Sequence, residues 1–284
     1  MPFLVNFDPV LLNLGPVKIH WYGVMYLLGF VTFMLLGNYR ARQPDSGWSE
    51  AEVSDMLFYG VLGVVLGGRL GYLVFYDFAE VVKDPHRIYQ IWKGGMSFHG
   101  GLIGVGLAFA WFARKTGKPY HQIADFLIPM IPPGLFFGRI GNFIGGELWG
   151  RSSDVPWAMI FPDALQTSYT AQQLQEQYLS GNLNHLARHP SQLYEALLEG
   201  LLLFVIVWMF SSKARPPMAV TGVFFIGYGV FRSIVEWFRE PDRDIGFIAG
   251  DWLTMGQILS WPLIIIGIGM LIYAYRPQVN TPNE

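Results

Sequence analysis

Apolar positions fall into seven blocks along the 284-residue chain, each close to the length a bilayer requires. Crossing the hydrocarbon core as a helix takes about 20 mostly apolar residues. The blocks predict spans at Ile19 to Gly37, Asp55 to Tyr76, Met96 to Ala113, Ile123 to Ile144, Ser191 to Phe210, Met218 to Phe238 and Met255 to Tyr275. Ser49 and Glu52 form a capping-box pattern just ahead of the second block. Glycines, prolines and charges interrupt the third and fourth. Met1 to Val17 is a polar lead-in broken by Pro9, Gly15 and Pro16, without the basic flank and cleavage site of a secretory leader. The first span is therefore expected to serve as its own insertion signal.

Between the fourth and fifth blocks lies the longest polar segment, residues 145–190. Its run Thr167 to Ser180 predicts a surface helix, and the segment reads either as a substrate-docking element or as a tolerated insertion. The expected fold class is an all-α polytopic membrane protein: one membrane-embedded domain over residues 1–284, seven transmembrane helices and a periplasmic loop region.

Composition narrows the class. The chain is 52% hydrophobic and only 14% charged, where soluble domains carry about 25%. A net charge of −2 argues against nucleic acid as a partner. No cysteine is present, so disulfides, thiolate metal sites and a cysteine nucleophile are excluded together. With the N-terminus outside, the inner loops hold Arg40, Arg42, Arg114, Lys115, Lys118, Lys213, Arg215 and Arg276 in short segments. The outer basic residues, Lys93 and Arg243 among them, are spread over longer ones. That density favours a periplasmic N-terminus and a cytoplasmic C-terminus.

The most informative residue is Arg139, inside an apolar stretch and flanked by Gly138 and Gly141. A guanidinium at membrane depth costs roughly 2.5–3.5 kcal/mol on insertion scales, so such a residue usually faces a polar cavity. Asn142 shares its helical face, and Glu147 follows just past the apolar region, placed to hold the arginine or to act as a base. Arg69 and Arg232 lie in similar settings. Tyr228, Arg232, Glu236 and Arg239 fall within roughly 80° of one helix face. Guanidinium forks match phosphate oxygens, and phospholipid phosphates are the abundant anions in a membrane. The alternative is interhelical ion pairing without chemistry.

Four further features carry candidate chemistry. His99, in Gly94 to Gly101, titrates near neutrality and is a candidate general base. Tyr22 opens the first span, either in an interfacial belt or pointing into the bundle. Arg69 sits among small residues that permit close helix approach, with Glu199 or Asp125 as a candidate mate. His189-Pro190-Ser191-Gln192-Leu193-Tyr194-Glu195 reads as a helix start.

Several blocks together carry a resemblance: His20 to Gly23, Gly67 to Gly71, Gly95 to Gly101, Gly138 through Arg151, His189 to Glu195, and Tyr228 through Glu236. Over nearly its full length the chain resembles bacterial phosphatidylglycerol–prolipoprotein diacylglyceryl transferases. One departure is Gly145, where that family usually has Asn. The resemblance implies a seven-span inner-membrane enzyme without metal or cofactor. It implies transfer of diacylglyceryl from phosphatidylglycerol to the lipobox cysteine of a prolipoprotein, releasing glycerol 1-phosphate. On that reading Arg139 and Arg232 hold the phosphate, and His99 activates the thiol, with Glu147 or Glu236 next in line. Tyr22, Asn142, Tyr228 and Arg69 position the head group, and Gly150 allows a tight turn. The rival reading is an anion or lipid transporter with buried arginines.

Overall fold

The computed structural model describes residues 1–90, 94–165, 167–241 and 246–276; Lys93, Gln166 and Arg243 lie outside the described residues. Strand β1 (Phe3–Leu4) and a hairpin of β2 (Val10–Asn13) and β3 (Lys18–His20) precede helix α1 (Trp21–Ala41). Helices α2 (Glu50–Phe75), α3 (Phe78–Lys83), α4 (Phe98–Thr116), α5 (Tyr120–Leu127) and α6 (Ile131–Ile144) follow. Beyond them come β4 (Met159–Ile160), α7 (Ala171–Leu179), α8 (Ser191–Glu195), α9 (Leu203–Ser211), α10 (Ala219–Val235), β5 (Phe247–Ala249), β6 (Leu253–Thr254) and α11 (Met255–Ala274). A helix thus stands at each of the seven expected places. Among the described residues, five helical stretches are long and apolar enough to cross a membrane: Trp21–Ala41, Glu50–Phe75, Tyr120–Ile144, Ser191–Ser211 and Met255–Ala274. Helix α10 is a shorter apolar helix, and α4 carries Arg114 and Lys115 in its last turn.

The boundaries shift for identifiable reasons. Helix α2 begins at Glu50, five residues before the expected Asp55, because the Ser49–Glu52 capping box sits directly on its first turn. The fourth expected span is broken at a 3₁₀ turn, Ile128–Met130, where Pro129, Pro132 and Pro133 remove backbone donors. The fifth contains a π-helix, Ala196–Leu202, between α8 and α9. The surface helix expected in Thr167 to Ser180 is α7, started by a Thr170–Gln173 capping box.

The backbone packs as two compact units, Phe33–Leu127 and a second one of Met1–Thr32 with Ile128–Glu284. In the first, α2 meets α4 through glycines. A Cβ on Gly67 would stand 2.4 Å from the Gly100 carbonyl oxygen and 2.7 Å from Gly104 Cα, and one on Gly63 would stand 2.8 Å from the Gly104 oxygen. Two helices this close gain dispersion contacts along their whole backbones, which is how small residues join helices in lipid.

Arg69 is the exception to the expected pairing. Its mate is neither Glu199 nor Asp125: its guanidinium donates to the carbonyls of Arg87 (2.5 Å), Ile88 (3.5 Å), Gln90 (3.2 Å), Gly94 (2.5 Å) and Gly95 (3.3 Å). Arginine has five N–H donors, and all of them are taken up by the chain after α3. That loop is braced in turn by an Arg87–Asp77 pair at 2.9 Å.

In the second unit, Ile128, Leu203, Val207, Val220 and Phe224 form an apolar core between α9 and α10. Helix α11 closes on α10 at Gly222 and Gly267, where a Cβ on Gly267 would stand 2.7 Å from the Gly222 oxygen. The loop after α6 builds a small core of its own from Ala158, Ile160, Leu174, Leu183 and Ala187. It is tied to the N-terminus by the parallel pairing of β1 with β4.

Candidate functional site

The charges expected to face a polar interior converge within the second unit. Arg139 on α6 reaches Glu195 at 3.1 Å and Glu199 at 3.6 Å. Arg232 on α10 pairs tightly with Glu195 and Glu236 and stands 3.7 Å from Glu199. Arg239 joins Glu236 at 3.4 Å. Three guanidinium groups and three carboxylates thus form one connected cluster, in which Arg139 and Arg232 share the same two glutamates. Glu195 and Glu199 are fully buried, and only a fifth of the Arg139 side chain is exposed. Removing one partner from a buried pair typically costs 3–5 kcal/mol, because the other charge is left alone in a poor solvent.

Local structure explains the convergence. Gly200, in the π-helix, faces α6 so closely that a Cβ there would stand 2.6 Å from Phe136 Cβ and 3.0 Å from its backbone nitrogen. Arg139 lies one turn further along α6, which brings its head to the glutamates. The Glu236 carboxylate also accepts from Thr254 Oγ1 at 2.6 Å, so its two oxygens serve Arg232, Arg239 and Thr254. The Tyr228 ring stacks on Phe224, and its phenol feels the charges of Glu199, Arg232, Arg139 and Glu195.

Glu147 is exposed and lines an open recess of about 840 Å³ together with Lys18, His20 and Tyr22. Tyr22 packs on α6 at Gly141, where a Cβ would stand 2.8 Å from its ring, and its hydroxyl lies 3.4 Å from that of Tyr26. Asn142, one residue on, is buried, and its carbonyl accepts from the Glu147 amide at 2.9 Å.

The first turn of α8 clamps the turn that presents Glu147. Ser191 Oγ donates to the Leu148 carbonyl at 2.9 Å and Gln192 Nε2 to the Glu147 carbonyl at 2.6 Å. Leu148 has φ of 57°, a left-handed conformation that costs a non-glycine residue about 1–3 kcal/mol and persists only when its surroundings enforce it. Gly150 does not make the expected tight turn. It sits where three chain segments meet, and a Cβ would stand 2.5 Å from the Phe238 oxygen and 2.6 Å from the His189 oxygen. Its amide donates to His189 at 2.9 Å and its carbonyl accepts from Arg188 at 3.1 Å. His189 is partly buried against Phe238 and Tyr194, and that burial holds its imidazole below the ordinary histidine value.

Of the residues singled out from the sequence, Arg139, Arg232, Glu236 and Tyr228 meet at the charge cluster, and Glu147 and Tyr22 meet at the recess. His99 belongs to the other unit, exposed on the first turn of α4 beside the Ser97 N-cap. Arg69 has its donors turned to backbone carbonyls rather than to open space. Sequence reasoning placed Arg239 correctly on the polar face with Arg232 and Glu236, missed Glu195, and offered Glu199 to Arg69 rather than to Arg139 and Arg232. The signal was present: two glutamates four residues apart in an apolar block share a helix face, as do Arg232 and Glu236.

A family model described as prolipoprotein diacylglyceryl transferase matches residues 9–273. Among curated relatives, a phosphatidylglycerol–prolipoprotein diacylglyceryl transferase of Psychrobacter arcticus is 54% identical, covering 95% of this chain and 94% of the relative. One of Coxiella burnetii is 50% identical over 97% of this chain and 98% of its own length. One of Acinetobacter baumannii is 51% identical, with 96% and 95% covered.

Proposed function

The chain belongs to the prolipoprotein diacylglyceryl transferase family, and we propose that it transfers diacylglyceryl from phosphatidylglycerol to the lipobox cysteine of prolipoproteins. In this reading the thiol sulfur attacks the glyceryl carbon that bears the phosphate. A sulfur–carbon bond forms, the carbon–oxygen bond breaks, and its electron pair leaves on glycerol 1-phosphate. The thiol proton goes to a base. His99 is the first candidate for that base and Glu147 the second, favoured by its place on the recess beside Tyr22. A cysteine thiol has a pKa near 8.5, so a base raises the thiolate fraction at neutral pH.

The phosphodiester carries one negative charge, and the departing monoester carries two. Arginine forks aimed at the phosphate offset that growing charge, which is electrostatic stabilisation of the transition state. The observation that carries the reading is the convergence of Arg139 and Arg232, from separate apolar helices, on one point. Asn142, Tyr22 and Tyr228 orient the head group. The chain acts as a single seven-span domain of the cell inner membrane, its N-terminus periplasmic and its C-terminus cytoplasmic.

The test is a mass measurement. Purified protein, phosphatidylglycerol and a lipobox peptide should give a diacylglyceryl mass gain on the cysteine. Arg139→Ala should abolish the product while the protein still inserts; near-normal turnover would remove Arg139 from the chemistry.

A further inference from the structure

The cluster that is read as the phosphate site already holds one carboxyl group for each guanidinium: three arginines face three glutamates. A phosphate arriving there would add negative charge beside buried carboxylates, and the reaction would then double it. In a medium of low polarity that repulsion is severe unless a carboxylate withdraws. The three glutamates are not equally held. Glu236 is fixed by Arg232, Arg239 and the Thr254 hydroxyl. Glu195 is hydrogen-bonded to Arg232 through one oxygen, while its other oxygen lies 3.1 Å from Arg139 as an ion pair without a hydrogen bond. Glu199 stands off both arginines, at 3.6 and 3.7 Å, and neither of its oxygens has a hydrogen-bond partner among the described residues, although it is 0% exposed. A buried carboxylate without donors is the costliest arrangement of the three. It also sits in the π-helix, a rare turn that recurs at functional sites.

We propose that Glu199 is a displaceable counter-ion: a positioning residue that holds Arg139 and Arg232 before the lipid binds and yields them to its phosphate, then reclaims them as glycerol phosphate leaves. This rests on the reading of the arginine pair as the phosphate site. Two ligands that compete for one pair of cations oppose each other by a coupling that is reciprocal. Removing the resident charge therefore tightens the visitor.

Glu199→Gln should lower KM for phosphatidylglycerol in detergent micelles, by roughly fivefold or more at the usual size of such couplings. Its kcat should fall, because the product is held longer, and glycerol phosphate should inhibit at correspondingly lower concentration. Glu195→Gln, which removes a carboxylate hydrogen-bonded to Arg232 and ion-paired with Arg139, should instead raise KM. A purely structural Glu199 would raise KM or leave it unchanged, and either result overturns the proposal. Should E199Q fail to accumulate, the unaltered enzyme still decides. Infrared difference spectra on adding glycerol phosphate should show a carboxylate stretch changing environment, and its absence would overturn the proposal too. Failure of the functional reading looks different: the unaltered enzyme would then make no diacylglyceryl peptide, whatever the two variants do to glycerol phosphate binding.

Discussion

A charged residue in an apolar helix has two fates here, and the difference lies in what its donors meet. Arg69 spends all five N–H groups on five backbone carbonyls of one loop. Arg139 and Arg232 meet carboxylates that a ligand can challenge. The sequence context of all three is alike, apolar and rich in glycine, so residue type alone did not separate the clamp from the site. Lysine retains the charge of Arg69 but has three donors on one atom, so it cannot span carbonyls on both sides of the loop. Arg69→Lys is expected to lose about 2 kcal/mol of stability, the scale of one or two hydrogen bonds to a charged donor. KM for the lipid should stay unchanged in that variant. Denaturant unfolding in detergent alongside a turnover assay separates the two, and a large rise in KM with intact stability would return Arg69 to the head group.

At the scale of elements, glycine decides which helices touch, and its positions were legible before its partners were. Gly63, Gly67 and Gly71 recur every fourth residue of α2 and announce a close helix contact; that α4 supplies the other face at Gly100 and Gly104 required coordinates. Helix existence was readable from apolar length alone. The prolines at 129, 132 and 133 also announced the break of the fourth span, but the π-turn and the short strands were not legible, because each depends on what packs across it rather than on local pattern. Two substitutions distinguish packing from positioning. Gly67→Ala drives a Cβ into backbone on α4, and such overpacking costs typically 1–3 kcal/mol. Gly106→Ala, on the same α4 but with nothing within 4 Å of its Cβ, should be neutral or stabilising by about 0.5–1 kcal/mol. Gly200→Ala should act on turnover more than on stability, since α6 must move away from the π-helix and carry Arg139 with it. A shift of about 1 Å at a reacting centre can cost on the order of 100-fold in rate. Near-native kcat in Gly200→Ala would mean that the α6 contact does not set the arginine's position.

For the molecule as a whole, the polar loop after α6 is held at both ends by one junction, where residues 150–152, 188–189 and 238–239 exchange backbone hydrogen bonds. The same junction fixes the turn that presents Glu147, so the loop and the recess share a hinge point. His189 is the titratable group at its centre, with its Nδ1 3.1 Å from the Tyr194 hydroxyl and its ring against Phe238. Burial holds its imidazole below the ordinary value of 6.5. In the opened junction the ring regains that value and binds a proton first as pH falls. Opening is then favoured by acid: the junction keeps its full stability above about pH 6.5 and loses it progressively below. Limited proteolysis of the loop should therefore accelerate as pH is lowered through about 6, and turnover should decline in step. His189→Gln keeps a polar partner for Tyr194 without a titrating ring, and should flatten the dependence. If the variant shows the same acid-induced cleavage, the proton acts elsewhere and the junction is not the pH-sensitive element.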